Sequence, residues 1–202
     1  MVGESTFAGL LAPHAEGETL GRLVGYAQLL ERWSARHSLV SFRGRHELVD
    51  RHLVDALAGV PMLGSSGVLL DVGSGAGLPG VPLLASRPKW RGVLLEPRQK
   101  RWAFLRLVIR ELALDATAER CRYQELGDEF GPFDAVTVRA LAGIEELLGW
   151  AAHRLAPSGQ VLWWSTEREL ARLGELHGWR VLSSPLPSLV HGRLVRFQQC
   201  FT

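Results

Sequence analysis

The chain has 202 residues, a mass of 22.3 kDa and 47% apolar content, enough for one core domain with an extension. Its 22% charged content is that of an ordinary soluble protein, and a formal net charge of +2 permits an anionic partner without requiring one. Two cysteines, Cys121 and Cys200, lack metal-ligand spacing and are too few for a disulfide framework; no apolar run approaches the ~18 residues of a membrane span, and no signal peptide is legible. A soluble cytoplasmic monomer without a metal is expected.

In chain order, "TLGRLVGYAQLLERWSARHSL" places Leu20, Leu23, Val24, Ala27, Leu30 and Trp33 near helical spacing, with Thr19 as a candidate N-cap. "RGRHELVDRHLVDALAGVP" reads as a second amphipathic helix ended by Pro61. Residues 1–62 are therefore expected to form a helical extension, and residues 63–202 a separate domain. From Gly67 short apolar strands alternate with helices: "VLLDV", "GVLLE", "RCRYQE", "FDAVTVR" and "QVLWWS" read as strands, the third weakly. The intervening helices start at "LPGVPLLAS", "RQKRWAFLRLVIRELAL", "GIEELLGWAAHRLA" and "TERELARLGELHG". "WRVLSS" and "RLVRFQQCF" close the chain as an antiparallel edge hairpin. Strand–helix alternation predicts an α/β, Rossmann-like, mostly parallel seven-stranded sheet covered on both faces.

In such a sheet, ligands sit beyond the carboxyl ends of the strands, where strand order reverses. The first turn there is Gly73-Ser74-Gly75-Ala76-Gly77-Leu78. The dinucleotide pattern G-x-G-x-x-G fits only from Gly75, through Gly77 and Gly80. Asp71 ends the preceding strand, where a carboxylate repels a pyrophosphate and favours a cationic ligand. S-adenosylmethionine, with its sulfonium and ammonium, is a ligand such a site favours. The glycines let the backbone approach its methionine tail, and Ser74 offers a hydroxyl. Glu96 ends the second strand 23 residues after Gly73, where a carboxylate accepts both ribose hydroxyls. Glu125, with Gln124 beside it, is placed to accept from the adenine amino group.

"LLDVGSGAGLPGVPL", "EPRQKRWAFLR" and "FDAVTVRALA", in that order and spacing, resemble the bacterial 16S ribosomal RNA guanine-N7 methyltransferases, also called glucose-inhibited division protein B. "LLERWSARHSLVS" and "RHLVDAL" are similar to that family's opening helices, so the resemblance runs from about Tyr26 to Leu162. Pro79-Gly80, Lys100-Arg101 and Arg139-Ala140 make it specific. The resemblance implies a class I methyltransferase fold, S-adenosylmethionine bound by Gly73, Leu78, the Gln124-Glu125 pair and Arg139, and transfer to N7 of one guanine in the decoding-region loop of the small-subunit RNA. The chain departs from the family's Asp-Ser at Asp55-Ala56, from its Lys-Gly at Trp164-Ser165, and from its acidic residue before Gly-Arg at His191.

Guanine N7 carries an in-plane lone pair and needs no deprotonation, so positioning supplies most of the rate and no general base is expected. The sequence agrees: no Asn/Asp-Pro-Pro-aromatic motif follows the fourth strand, and both cysteines read as packing residues. Arg139 is expected to position the acceptor by donating to guanine O6, or to contact the cofactor. Residues 32–52 carry a net +3, and the helix after Glu96 adds further cations, so Arg51, His52, Lys100 and Arg101 are expected to contact ribosomal RNA or the small subunit. Two other readings fit the residues: a methyltransferase for a non-RNA substrate, and an S-adenosylmethionine-sensing RNA-binding module without turnover.

Overall fold

The computed structural model describes residues 6–200. A short α1 (Phe7–Leu11) precedes α2 (Gly17–His37), whose Leu23, Tyr26, Ala27 and Leu30 recur at helical spacing and are fully buried. Thr19 is not the N-cap; Glu16 holds that place, and Thr19 lies inside the first turn. The second sequence helix is three pieces: α3 (Arg45–Leu48), a π-helical turn over Val49–Val54, and α4 (Asp55–Leu57). A π turn leaves carbonyls that other groups must satisfy, and a side chain from the sheet does so at Arg51, as described below.

The sheet contains β1 (Gly67–Val72), β2 (Trp90–Leu95), β3 (Ala116–Glu119), β4 (Phe133–Arg139), β5 (Leu155–Thr166), β6 (Trp179–Pro185) and β7 (Gly192–Gln199), in the order β3-β2-β1-β4-β5-β7-β6. β1 to β5 pair in parallel, and β7 runs antiparallel between β5 and β6. This is the doubly wound sheet with an antiparallel edge hairpin that the sequence predicts. The helices between strands are α5 (Gly80–Ser86), α6 (Gln99–Glu111), α7 (Ile144–Ala151) and α8 (Glu167–Leu170).

One strand and one helix differ from expectation. The third strand is "ATAE", not "RCRYQE"; Tyr123–Glu125 forms a 3-10 turn anchored by the buried Tyr123. The helix expected over 166–178 stops after one turn, at Leu170, short of Gly174.

Strand side chains alternate between two apolar layers. Leu69, Leu94, Ala135, Leu162 and Trp164 face one layer, and Leu70, Leu95, Val136, Val161 and Trp163 face the other. The first layer also holds Leu23, Leu30, Leu48 and Leu53 from the N-terminal helices with Leu83 and Phe104 from α5 and α6. The N-terminal helices thus share one continuous core with the sheet. Gly59 and Trp164 mark their tightest contact: a Cβ on Gly59 would lie 2.6 Å from the indole, and Trp164 Nε1 donates to the Asp55 carbonyl at 2.7 Å.

Asp71 ties the centre together. Its carboxylate is fully buried between β1, β4 and α5, accepting from Thr137 Oγ1 at 2.7 Å and from the Gly80 N–H at 3.3 Å. A Cβ on Gly80 would stand 2.6 Å from Asp71 Oδ2, so only a bare helix start admits the carboxylate. Burial raises the Asp71 carboxyl from 3.8 to about 6 against the opposing pull of the Thr137 and Gly80 donors.

Two predictions follow from this packing. Because folded Asp71 holds its proton to higher pH than the unfolded chain, the folded state binds more protons between about pH 4 and 6. Stability is therefore expected to fall as pH rises through that window, by up to about 3 kcal/mol, and to level off above it. Denaturant titrations of wild type and Asp71→Asn across pH 4–7 should show this fall in the wild type alone. Gly59→Ala should lower stability by about 1–3 kcal/mol through overpacking against Trp164, measured as a shifted urea midpoint with an unchanged slope.

Candidate functional site

β1 ends at the switch point, with β2 on one side and β4 on the other. The loop that follows is shaped by Gly73 at φ 67° and Gly75 at φ 59°, left-handed conformations that side chains with a Cβ adopt only with strain. The Ser74 N–H donates to the Leu95 carbonyl at 2.8 Å, and its hydroxyl donates to the Asp71 carbonyl at 2.9 Å. Those two bonds fasten the loop to β2 and β1. Tyr26 fastens it from above: its buried hydroxyl donates to the Ala76 carbonyl at 2.7 Å.

Two clefts of about 290 Å³ and about 260 Å³ open on this loop, and Gly73 lines both. A Cβ at Gly73 would meet nothing within 4 Å, so the backbone there faces open space. The first cleft is walled by Leu95, Pro97, Leu141 and Ala142, with Gln124 and Glu146 as polar groups. Gln124 Nε2 donates to Glu146 Oε1 at 3.1 Å. The second cleft is bounded by Leu39, Val40, His52, Arg101 and Arg139.

Arg139 ends β4 with its guanidinium folded under the N-terminal helices. Nη2 donates to the Arg51 carbonyl at 3.1 Å, within the π turn, while Nη1 is buried with no partner among the described residues. Asp55, one turn beyond Arg51, accepts the Ser188 N–H on Oδ1 at 2.9 Å and keeps Oδ2 buried and unpartnered. Burial pushes the Arg139 guanidinium down, countered by Asp55 and Tyr26, and pushes the Asp55 carboxyl up. His52 is lowered by burial and then by Arg139, which holds it neutral near pH 7; its Nε2 sits 3.2 Å from the Ser41 carbonyl, as the Nε2–H tautomer requires. Burial and the neighbouring Glu119 and Glu125 raise the Cys121 thiol, so it is not a thiolate.

The structure brings together Gly73, Ser74, Gly75, Leu78, Gln124, Arg139, Arg101 and His52 along one rim. Glu96 is 4% exposed beneath Gly75; its Oε1 accepts the Arg98 N–H at 2.8 Å. Three expectations change. Asp71 lies below the loop with both oxygens engaged, so it organises the loop and does not face a ligand. Glu125 is exposed and caps its own turn by accepting the Arg122 N–H at 2.8 Å, lining neither cleft. Lys100 and Arg51 are exposed outside both linings, and Arg51 pairs with Glu47 at 2.6 Å. Tyr26, Thr137 and Glu146 are functional neighbours that sequence reasoning missed. Glu146 was hidden because an acidic first helical turn ordinarily just complements the helix dipole. Among the described residues, no group of three or more His, Cys, Asp and Glu could hold a metal ion, and no helix is long and apolar enough to cross a membrane.

Known proteins share both sequence and architecture. The family model for rRNA small subunit methyltransferase G matches residues 19–179. A ribosomal RNA small subunit methyltransferase G from Xanthomonas campestris pv. campestris (strain B100) is 36% identical over 176 residues, covering 86% of this chain and 82% of that protein. Another, from Mycobacterium leprae (strain TN), is 39% identical over 139 residues, covering 68% of this chain and 57% of that protein. Among solved structures, a precorrin-6y C5,15-methyltransferase from Geobacter metallireducens GS-15 matches with a TM-score of 0.60 at 18% identity, over 81% of this chain and 92% of that one. A ribosomal protein L11 methylase from Lactobacillus delbrueckii subsp. bulgaricus matches at 0.61 and 15% identity, over 72% and 77%. At such identities these structures speak for the fold, which is that of class I methyltransferases. The extent of the sequence match settles the family: this chain belongs to the rRNA small subunit methyltransferase G proteins.

Proposed function

We propose that this chain transfers a methyl group from S-adenosylmethionine to N7 of a guanine in small-subunit ribosomal RNA. Beside the family membership, the observation that carries this reading is the junction at Gly73, where bare backbone opens into two clefts of different chemistry. One cleft is apolar with a paired amide and carboxylate; the other is bordered by Arg101, Arg139 and His52.

The residues present fit the cofactor. Leu95, Pro97 and Leu141 offer apolar walls for a purine, and Gln124, with its amide nitrogen turned to Glu146, presents its carbonyl to an adenine amino group. Glu96 Oε2, left free by the bond that Oε1 makes to Arg98, is the ribose acceptor of this reading. Gly73, Ser74 and Gly75 let the methionine tail lie against main chain, and Leu78 closes the loop's far side. When bound, the cofactor supplies a methyl on a cationic sulfur.

The chain's own work is to bind, orient and exclude water. The Arg139 guanidinium, which borders the second cleft, is the donor this reading assigns to guanine O6, next to the reacting N7, or to the cofactor's carboxylate. Arg139 is held through the Arg51 carbonyl, so the N-terminal helices set its position. His52 and Arg101 border the acceptor cleft, and the exposed Arg51 and Lys100 stand outside it for phosphates. Methylation at N7 releases no proton, so neither the neutral His52 nor the protonated Cys121 is needed as base or nucleophile.

Two experiments test this reading. Gly73→Val places a β-branched residue at φ 67° beside open space; the fold should survive, and S-adenosylmethionine affinity should drop at least about 100-fold by calorimetry. Normal affinity in the folded variant sinks the loop assignment. Arg139→Lys loses the planar fork that bridges Arg51 and the cleft, and should lower kcat/KM on small-subunit RNA by about 10²-fold. The readout is labelled methyl entering RNA, with mass spectrometry locating it at guanine N7. No label in RNA with the wild-type chain overturns the function itself.

A further inference from the structure

The second cleft carries two arginines, Arg101 and Arg139, and its lining contains no acid. Of the two, Arg139 is the one drawn into the protein: Nη1 is buried and Nη2 is committed to the Arg51 carbonyl. A buried guanidinium keeps its place and its charge only where an opposite charge or enough acceptors offset the lost hydration. One carbonyl is a weak offset, so the acid that balances Arg139 must stand behind the cleft.

Asp55 stands there. It lies four residues beyond Arg51 in the helical segment 45–57, and a helix carbonyl points along the axis toward the residues one turn ahead. The guanidinium that meets the Arg51 carbonyl is therefore brought to the Asp55 end of that turn. Asp55 has no exposure to solvent. Oδ1 accepts the Ser188 N–H at 2.9 Å, while Oδ2, like Arg139 Nη1, is buried without a hydrogen-bond partner among the described residues. Burial raises the Asp55 carboxyl, and the Ser188 N–H, Arg139 and Arg51 draw it back. Burial lowers the Arg139 guanidinium, and Asp55 is the first group to oppose that fall. Two other acids are engaged elsewhere: Asp71 by Thr137 and Gly80, and Glu47 by Arg51 and the Arg43 N–H.

Fastening the loop before β7 does not need a charge. An Asn carbonyl would accept the Ser188 N–H without the hydration that an ionised carboxylate gives up on burial. The second oxygen and the charge are what the Ser188 bond leaves unexplained.

We infer that Asp55 is a positioning residue for Arg139: its ionised carboxylate, from behind the cleft, holds the guanidinium charged and in place at the cleft border. The inference rests on the proposed function, which sets Arg139 against guanine or the cofactor's carboxylate, and deepens it. Asp55 then has two tasks, the Ser188 loop through Oδ1 and Arg139 through its charge.

The test is a double-mutant cycle of Asp55→Asn with Arg139→Met in the full chain, at about pH 8, clear of the range in which Asp71 titrates. Asn keeps the shape and an acceptor for Ser188 and removes the charge; Met keeps the length and removes the cation. Urea unfolding is the first readout. Asp55→Asn alone strands a buried cation and should lower the midpoint. Arg139→Met alone strands a buried carboxylate and should lower it by about 1 M. Adding Asp55→Asn to Arg139→Met should raise the midpoint again, a reversal of sign that a change at the Ser188 bond cannot produce. Methyl transfer to small-subunit RNA is the second readout. Asp55→Asn should lower kcat/KM about tenfold in the wild-type background and less than about twofold beside Arg139→Met. Equal effects of Asp55→Asn in the two backgrounds, in either readout, overturn the pairing and leave Asp55 as a fastener of the Ser188 loop. If the wild-type chain places no label in RNA, the proposed function fails, and the urea cycle still decides the pair.

Discussion

The buried carboxylate of Asp71 is the constraint on which the site depends. It sits between β1 and β4, at the point where the strand order reverses. By accepting from Thr137 it fixes β4 against β1, and by accepting from Gly80 it draws the start of α5 under the loop. The loop then has little freedom: it must leave Val72, turn over the carboxylate and reach α5 within seven residues. Left-handed backbone at Gly73 and Gly75 is the way it does so. A buried carboxyl with a raised pKa is a costly fastener, and a neutral side chain would pack at lower cost. What the carboxylate adds is direction, because two donors on different elements can meet it in only one arrangement.

A second set of bonds makes the N-terminal helices part of the site. Tyr26 reaches the glycine loop, Arg139 reaches the π turn, Trp164 reaches the carbonyl of Asp55, and Asp55 reaches Ser188. All four cross between the helical segment and the sheet or its loops, and those of Tyr26, Trp164 and Asp55 are at least partly shielded from water. The π turn explains the geometry. Arg139, whose side chain borders the second cleft, satisfies the Arg51 carbonyl of that turn with Nη2 and buries Nη1. A residue bordering the second cleft is therefore also a docking contact of the N-terminal helices.

Much of this was legible in the sequence. Strand–helix alternation yields the doubly wound sheet and its terminal hairpin, because a strand buried on both faces must read as a continuous apolar run. The glycine spacing places the loop, and the resemblance places Gln124 and Arg139. What was not legible has particular physical causes. The periodicity of residues 45–57 continues through a π turn, since one extra residue per turn barely disturbs an apolar stripe. "ATAE" is a short, partly exposed edge strand with no apolar run, whereas the Tyr123 anchor made the next segment look stronger. Asp71 was read as a ligand contact because a strand-end carboxylate beside a glycine loop has two possible uses. Only the positions of Thr137 and Gly80, which are 66 and 9 residues away in the chain, show which one applies.

The three departures from the family pattern acquire a common explanation. Ala56 is fully buried, where a serine would have to hide its hydroxyl. Trp164 fills the space beside Gly59 and bonds Asp55, so a large apolar residue with one donor does there what a shorter contact to this helix could not. His191 stands at φ 62° in the turn before β7; its carbonyl receives the Glu167 N–H at the start of α8, and its ring meets the Glu167 carboxylate at 3.0 Å. None of the three lines either cofactor-side cleft. They belong to the seam between the N-terminal helices, β5 and the terminal hairpin, and each can be compensated by its neighbours there without moving Gly73 or Gln124. Arg139 is the exception that matters: it hangs from the same helix that Trp164 braces. Two of the departures, Ala56 and Trp164, lie in or against the helical segment that holds the Arg139 guanidinium, whereas His191 bonds Glu167 instead.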